Sequence, residues 1–395
     1  MARSCHAFVT ASVVSLFFVG GVFAQTDERG QPVRFSVGVV AEIDDNRDAT
    51  ADNKQDNVDL FLRPRLDLYF GDASSLFDFY YAPALRYRTE PGENQDETDF
   101  QHHLGVEMRH ALSGRLRLRV SDRLSVTDDP QIEENGSVVR GDQSYVANTV
   151  TAGLNYDLFR YSNLDLQVHN RVSRFDDEAV AARSDEDESG VRIQHRRSLT
   201  PTVRTLLTGE YRMYSYEDNL IYTRDFDSVV LAVGLENSFT ENVLGSLSVG
   251  WQTRDHDDED IDVDDTPYVR AEISGQMNPD LQVGVVVGYG IRDSDAFPYP
   301  SQEYADFSGF VNAKLTQKLK LQVAGNYHQS TYEQIDETRL GGNENVLVGD
   351  VGLSFYAMES LSLMVGYRVE EIDADDAVGS SYTKNTVRVG ATLNF

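Results

Sequence analysis

Val33-Arg34-Phe35-Ser36-Val37-Gly38-Val39 carries an apolar side chain at every second position. A period of two marks a strand with one apolar and one polar face, because successive side chains point to opposite sides. The same alternation returns at 60–70, 115–120, 164–168, 191–193, 245–251, 319–323 and 361–369, and again in the closing run Val387-Arg388-Val389-Gly390-Ala391-Thr392-Leu393-Asn394-Phe395. Short turns rich in Gly, Asn, Asp, Ser or Pro fall at 71–75, 113–114, 159–163, 200–201, 240–242, 278–280, 316–318 and 358–360. Between them lie longer polar segments at 44–57, 90–97, 128–143, 176–188, 217–224, 255–265, 293–302, 332–345 and 372–383. Nine long loops and eight short turns predict about eighteen strands, with both chain ends on the short-turn side.

Composition narrows the class. The chain has 395 residues, 35 Lys or Arg against 65 Asp or Glu, and a formal charge of −30. A nucleic-acid partner is excluded on this balance, since phosphate binding needs a basic surface. The 19 Phe and 20 Tyr exclude plain disorder. Residues 1–24 read as a signal peptide: Arg3 supplies the charge, 7–23 are mostly apolar, and Val22-Phe23-Ala24 sets small residues before the cleavage point. Cys5, the only cysteine, falls inside this segment. The remainder, 25–395, is expected to form one domain with no thiol, disulfide, metal or cofactor.

A spacing of about 40 residues also suits a β-propeller, but a propeller blade packs four strands into that length. Two strands of some 11 to 14 residues fit a tilted membrane crossing, and short turns opposite long loops are the asymmetry of a transmembrane barrel. The long loops hold 40 of the 65 acidic residues and six bases. They are expected at the external face, either solvated and mutually repulsive, keeping the rim open, or bridged to lipopolysaccharide by divalent cations. The expected fold is therefore all-β: a transmembrane antiparallel up-and-down β-barrel.

These features together resemble a Gram-negative outer-membrane β-barrel. The final strand, alternating and ending in Phe395, resembles the sorting signal read by the barrel-assembly machinery. The length and repetitive body resemble the putative β-barrel porin type 2 family, whose members often accompany exopolysaccharide export. The resemblance implies an outer-membrane location, lipid and lipopolysaccharide as surroundings, and periplasmic polysaccharide-export proteins as partners. It implies a conduit for an anionic exopolysaccharide; a general or anion-preferring diffusion porin, or a structural or adhesive surface barrel, are the other readings.

With the apolar register outward, Arg63 and Arg65 on the second strand face the lumen, with Phe61 an exception to the pattern. Arg86, Arg88 and Arg109 follow, then the row Arg115, Arg117, Arg119 and Arg123, and then Arg192, Arg196 and Arg212. Rings of arginine attract anions and bind carboxylate or phosphate in a bidentate fork. Pairing with inward acids such as Asp59, Glu107, Asp165 and Glu210 is the competing role for the same side chains. Asp122 fits the outward register badly, so a bulge is expected beside it. Tyr69, Tyr87, Tyr214, Tyr289, Tyr327 and Tyr367 are expected as interfacial anchors. A loop folded into the lumen would favour small solutes, and 128–143 is the candidate; an unconstricted lumen would favour a polymer. His102 and His103 point to opposite faces, and no motif of an enzyme is present.

Overall fold

The computed structural model describes residues 32–395 apart from 73, 92–95, 128–143, 217–223, 259–263, 295 and 334–340. Eighteen strands follow in order: Val33–Asp44 (β1), Asn57–Gly71 (β2), Ser75–Arg88 (β3), Thr98–Ala111 (β4), Leu116–Thr127 (β5) and Tyr145–Phe159 (β6). Ser162–Phe175 (β7), Glu186–Ser198 (β8), Val203–Tyr216 (β9), Phe226–Thr240 (β10), Val243–His256 (β11) and Asp264–Asn278 (β12) continue the wall. Leu281–Asp293 (β13), Ser301–Thr316 (β14), Leu319–Tyr332 (β15), Gly342–Tyr356 (β16), Leu361–Ala374 (β17) and Tyr382–Asn394 (β18) complete it. One short helix, Glu178–Ser184 (α1), interrupts the β7–β8 loop.

Each strand pairs antiparallel with its neighbours in sequence, and β1 pairs with both β2 and β18, which closes the sheet. Closure leaves no unpaired edge, the condition for crossing a bilayer with strands. At the seam the backbone N–H of Phe395 donates to the Phe35 carbonyl at 2.9 Å, and the two rings lie 5.6 Å apart. At the other end Asp45 accepts from the backbone N–H and side-chain amide of Asn385 at 2.7 and 2.6 Å. Burial pushes the Asp45 carboxyl up, but these bonds prevail and hold it below the usual carboxylate range.

The two faces are sharply different. Val39, Leu62, Leu231, Val233, Trp251 and Val389 are among the large apolar residues left exposed, and all belong to the outward register. Phe61, Arg86, Gln194, Arg254, His328 and Asp350 belong to the inward register and are buried. A soluble protein would have this arrangement reversed; lipid as the outer solvent accounts for it. At the short-turn end Gly275 adopts φ +157°, and a Cβ there would lie 2.1 Å from the Asn242 carbonyl oxygen.

Near the long-loop end an aromatic girdle recurs with one geometry. The outward hydroxyls of Tyr81, Tyr211, Tyr327 and Tyr367 reach His102, Asp227, Asn345 and Asn385 at 2.9, 2.7, 3.0 and 2.6 Å. Tyr289 bonds Glu303 in the same way. In every case the partner sits on the next strand, two residues beyond the directly paired one toward the long loop. Tyr69 and Tyr214 do not belong to this girdle, contrary to expectation. Tyr69 pairs with Asp78 and Tyr214 is buried beside Phe226, so both lie on the inward register.

Above Val269–Tyr289 the β12–β13 ladder stops. The side-chain amide of Gln252 takes over there, donating to the Ile291 carbonyl at 2.6 Å and accepting from its N–H at 3.0 Å.

Candidate functional site

The inward face is where solute and side chain can meet. Arg117, Arg119 and Arg123 alternate along β5 beside Glu107 and Arg109 of β4, all in one inward register. Arg115 lies in the turn before β5, not on the strand, so the row begins at Arg117. Glu107 serves two guanidinium groups, Arg109 at 2.5 Å and Arg119 at 3.2 Å. Arg117 donates to Asp157 at 2.9 Å and to Asn155 at 3.0 Å. Four cationic side chains thus face Glu107 and Asp157, with Asp78 of β3, paired in register with Glu107, beside Arg109. Their exposure decides what they can do: Arg109 is 56% and Arg117 50% exposed.

The rest of the predicted arginines are more deeply committed. Arg63 pairs with Glu42 at 2.9 Å and stacks over Phe61, and Arg65 pairs with Asp67 at 2.7 Å and stacks over Tyr80. The inward Phe61 is therefore the platform for its neighbour. Arg86 holds Asp59 at 2.5 Å, and Arg88 donates to the Asp96 carbonyl at 2.9 Å. Arg388 bonds Asp350, and Arg368 bonds Glu370.

On β7–β9 the charges form a network. Glu188 lies 3.0 Å from His169, 3.7 Å from Arg212 and 4.0 Å from Arg171. Glu210 is bonded to Arg212 and is 3.9 Å from Arg192. The His169 ring lies flat across Gly190, where a Cβ would be 2.2 Å from it. Arg196 shares the inward register of β8 with Arg192. Arg171, Arg192, Arg196 and Arg212 together offset Asp165, Glu186, Glu188 and Glu210, so this wall carries little net charge.

The long-loop mouth is lined by residues that the alternation rule does not reach. Ala296 and Tyr299, in the β13–β14 loop, are 1% and 2% exposed. Tyr299 packs against Tyr332, the last inward residue of β15, with ring centroids 5.1 Å apart, and against Val378 of the β17–β18 loop. Its hydroxyl, whose pKa burial raises, donates to the Ala377 carbonyl at 3.1 Å. Arg224 stacks over Tyr216 and donates to the Ser294 carbonyl at 3.1 Å. Arg254, fully buried, stacks 4.0 Å above the Phe226 ring. Among the described residues, the loop after β13 folds in at the mouth; the expected candidate, 128–143, lies outside the described residues. A usable signal was present in the sequence: Ala296-Phe297-Pro298-Tyr299-Pro300 is an aromatic and proline run amid otherwise acidic loops.

His102 and His103 do point to opposite faces, His102 to the outward Tyr81 and His103 to Ser125. Among the described residues no group of three His, Cys, Asp or Glu side chains is placed to hold a metal ion.

A closed eighteen-stranded barrel with an apolar outer belt and a charged interior defines an outer-membrane channel of the porin type in a Gram-negative envelope. Residues 33–395 match the family described as putative beta-barrel porin 2, and the chain belongs to that family. No curated protein matches it. Among solved structures it is similar to OpdK of Pseudomonas aeruginosa with vanillate (9% identity, TM-score 0.48, covering 92% of this chain and 99% of that one). It is also similar to OccAB3 of Acinetobacter baumannii (9%, 0.48, 92% and 99%) and to the siderophore receptor PirA of Pseudomonas aeruginosa (8%, 0.43, 92% and 80%).

Proposed function

We propose that this porin is a diffusion channel for small anionic solutes. The packing at the mouth carries the reading: with Tyr299, Tyr332 and Arg224 packed at the long-loop end, the passage suits small molecules better than an exopolysaccharide chain. Anion preference rests on Arg109, Arg117, Arg119 and Arg123 outnumbering Glu107, Asp157 and the adjacent Asp78 on a wall where Arg109 and Arg117 are half exposed. Alternate residues of a strand sit roughly 7 Å apart, within the Debye length of about 8 Å at physiological salt, so their fields overlap. In this reading residues 1–24 are the export signal, and Phe395 addresses the barrel to the assembly machinery. The acidic long loops face outward among lipopolysaccharide, and no polysaccharide-export partner is needed.

Planar-bilayer reversal potentials in a salt gradient test the selectivity. Changing Arg109, Arg117 and Arg119 together to Ser should move the reversal potential toward cation preference. An unchanged potential would place these side chains outside the conduction path and remove the anionic reading.

A further inference from the structure

β12 and β13 both continue above their last shared row, Val269–Tyr289, but no longer pair. Backbone direction identifies the cause. The Gln276 N–H donates to Asn242 on the β11 side, and the β11–β12 register is unbroken, so odd residues of β12 turn their N–H and C=O toward β13. The Lys314 N–H, which donates to Asp280, gives the complementary result: odd residues of β13 face β12. The row after Val269–Tyr289 would therefore be a doubly bonded pair of Pro267 and Ile291, and proline has no N–H to give. Ile291 finds both bonds elsewhere. The side-chain amide of Gln252, inward on β11, takes the place of a peptide group, donating to the Ile291 carbonyl and accepting from its N–H. Two residues on, the Asp293 carbonyl accepts from the Gln302 amide at 2.9 Å.

The upper ends of β13 and β14 have accordingly moved inside the wall. Ile291, Asp293 and Ser301 belong to the outward register but are buried. Glu303, of the same register, accepts at 2.9 Å from the hydroxyl of Thr266, an inward residue of β12. An outward side chain of one strand meets an inward one of its neighbour only where the first strand lies nearer the barrel axis. A missing donor is not sufficient by itself. Pro64 of β2 stands opposite Pro83 of β3, and the rows between Leu62–Leu85 and Leu66–Tyr81 are unpaired, yet the ladder resumes on both sides. At β12–β13 the proline falls in the last rows, where no later pair draws the strands together, and Gln252 offers Ile291 an alternative. We infer that Pro267 and Gln252 position the β13–β14 hairpin inside the wall and so set the size limit of the passage, an inference that rests on the small-solute reading above.

Restoring the missing donor tests this. Pro267→Val supplies an N–H toward Ile291 on a side chain suited to a strand, so β12 and β13 should pair further and draw the hairpin back to the wall. Single-channel conductance in planar bilayers should rise about twofold or more as the aqueous lumen widens, and Pro64→Val should leave it unchanged. A thiol reports the movement separately. With Cys5 replaced by Ser, Ile291→Cys is the only thiol in the chain. It is buried in the parent and should react with a membrane-impermeant maleimide severalfold faster once Pro267→Val is added. A conductance that does not rise overturns the inference; so does a rise without faster labelling, because the widening then has another cause. If glycine replacement of Phe297, Pro298 and Tyr299 raises the conductance and Pro267→Val does not, this inference alone falls; if neither does, the small-solute reading falls with it. Heat-modifiable migration reports folding. Should Pro267→Val fail to fold, Gln252→Leu takes its place: loss of the amide frees Ile291, so conductance and labelling should both rise, and failure of either to rise overturns the inference.

Discussion

Replacing Phe297, Pro298 and Tyr299 with glycine is expected to raise the single-channel conductance severalfold. A barrel of this strand number encloses an aqueous lumen by its own geometry, so what narrows it must be side chains and loops. Tyr299 is buried between Tyr332 and the β17–β18 loop, and Arg224 is anchored to the β13–β14 loop, which carries Tyr299, through Ser294. Removing the ring takes away the inner layer of that cluster and one hydrogen bond to the opposite loop. The wall should survive, because the β13–β14 ladder is continuous from Leu281–Ala313 to Asp293–Ser301. Planar-bilayer recordings measure the effect, with heat-modifiable migration as the control for folding. A conductance equal to that of the parent would mean that the loop lies beside the passage and does not gate its width, and the small-solute reading would lose its main support.

The architecture was legible because its signal is local. Alternation needs only neighbouring residues, and each long loop ends where the charged, non-alternating stretch ends: 44–57 meets the observed ends of β1 and β2. Inward and outward assignment followed from parity, and it places Arg63, Arg86, Arg117 and Arg212 on the inner face. Partner choice was not legible. Whether Glu107 binds Arg109, Arg119 or both depends on the register between β4 and β5, which no period along one strand encodes. The same holds for Tyr214. Its position near a strand end suggests an anchor, but its parity with Arg212 turns it inward, and parity prevails. Asp122 shows the opposite case. Hydrophobicity alone favoured a bulge, whereas the paired ladders on both sides hold the strand in step, so backbone hydrogen bonding outweighs the preference of one side chain. The mouth was missed for a third reason: loop residues have no period at all, and their packing is set by which loops the barrel brings together.

The largest stability effect is expected at Arg86 and Asp59. The guanidinium meets the carboxylate at 2.5 to 2.7 Å, and the side chains are 11% and 4% exposed. Asn57 donates a further bond to Asp59 at 2.6 Å. Although the pair faces a lumen, Phe61, Val40 and Ala84 pack into a buried cluster beside it and exclude water locally. The pair should therefore behave as an interior ion pair. Arg86→Met alone leaves a buried carboxylate without its counter-charge, and breaking such a pair costs about 3–5 kcal/mol. Asp59→Leu alone leaves the guanidinium in the same position. The double variant removes both charges and replaces them with apolar groups of similar bulk, which is often close to neutral in energy, so it should recover most of the loss. Urea unfolding of the detergent-folded barrel, followed by the shift in gel migration, measures all three. If Arg86→Met costs less than about 1 kcal/mol, as an exposed pair would, then water reaches Asp59 and the wall at β2–β3 is wetter than its packing implies. If instead the double variant is as unstable as either single one, the side chains matter for their shape against Phe61 and not for their charge.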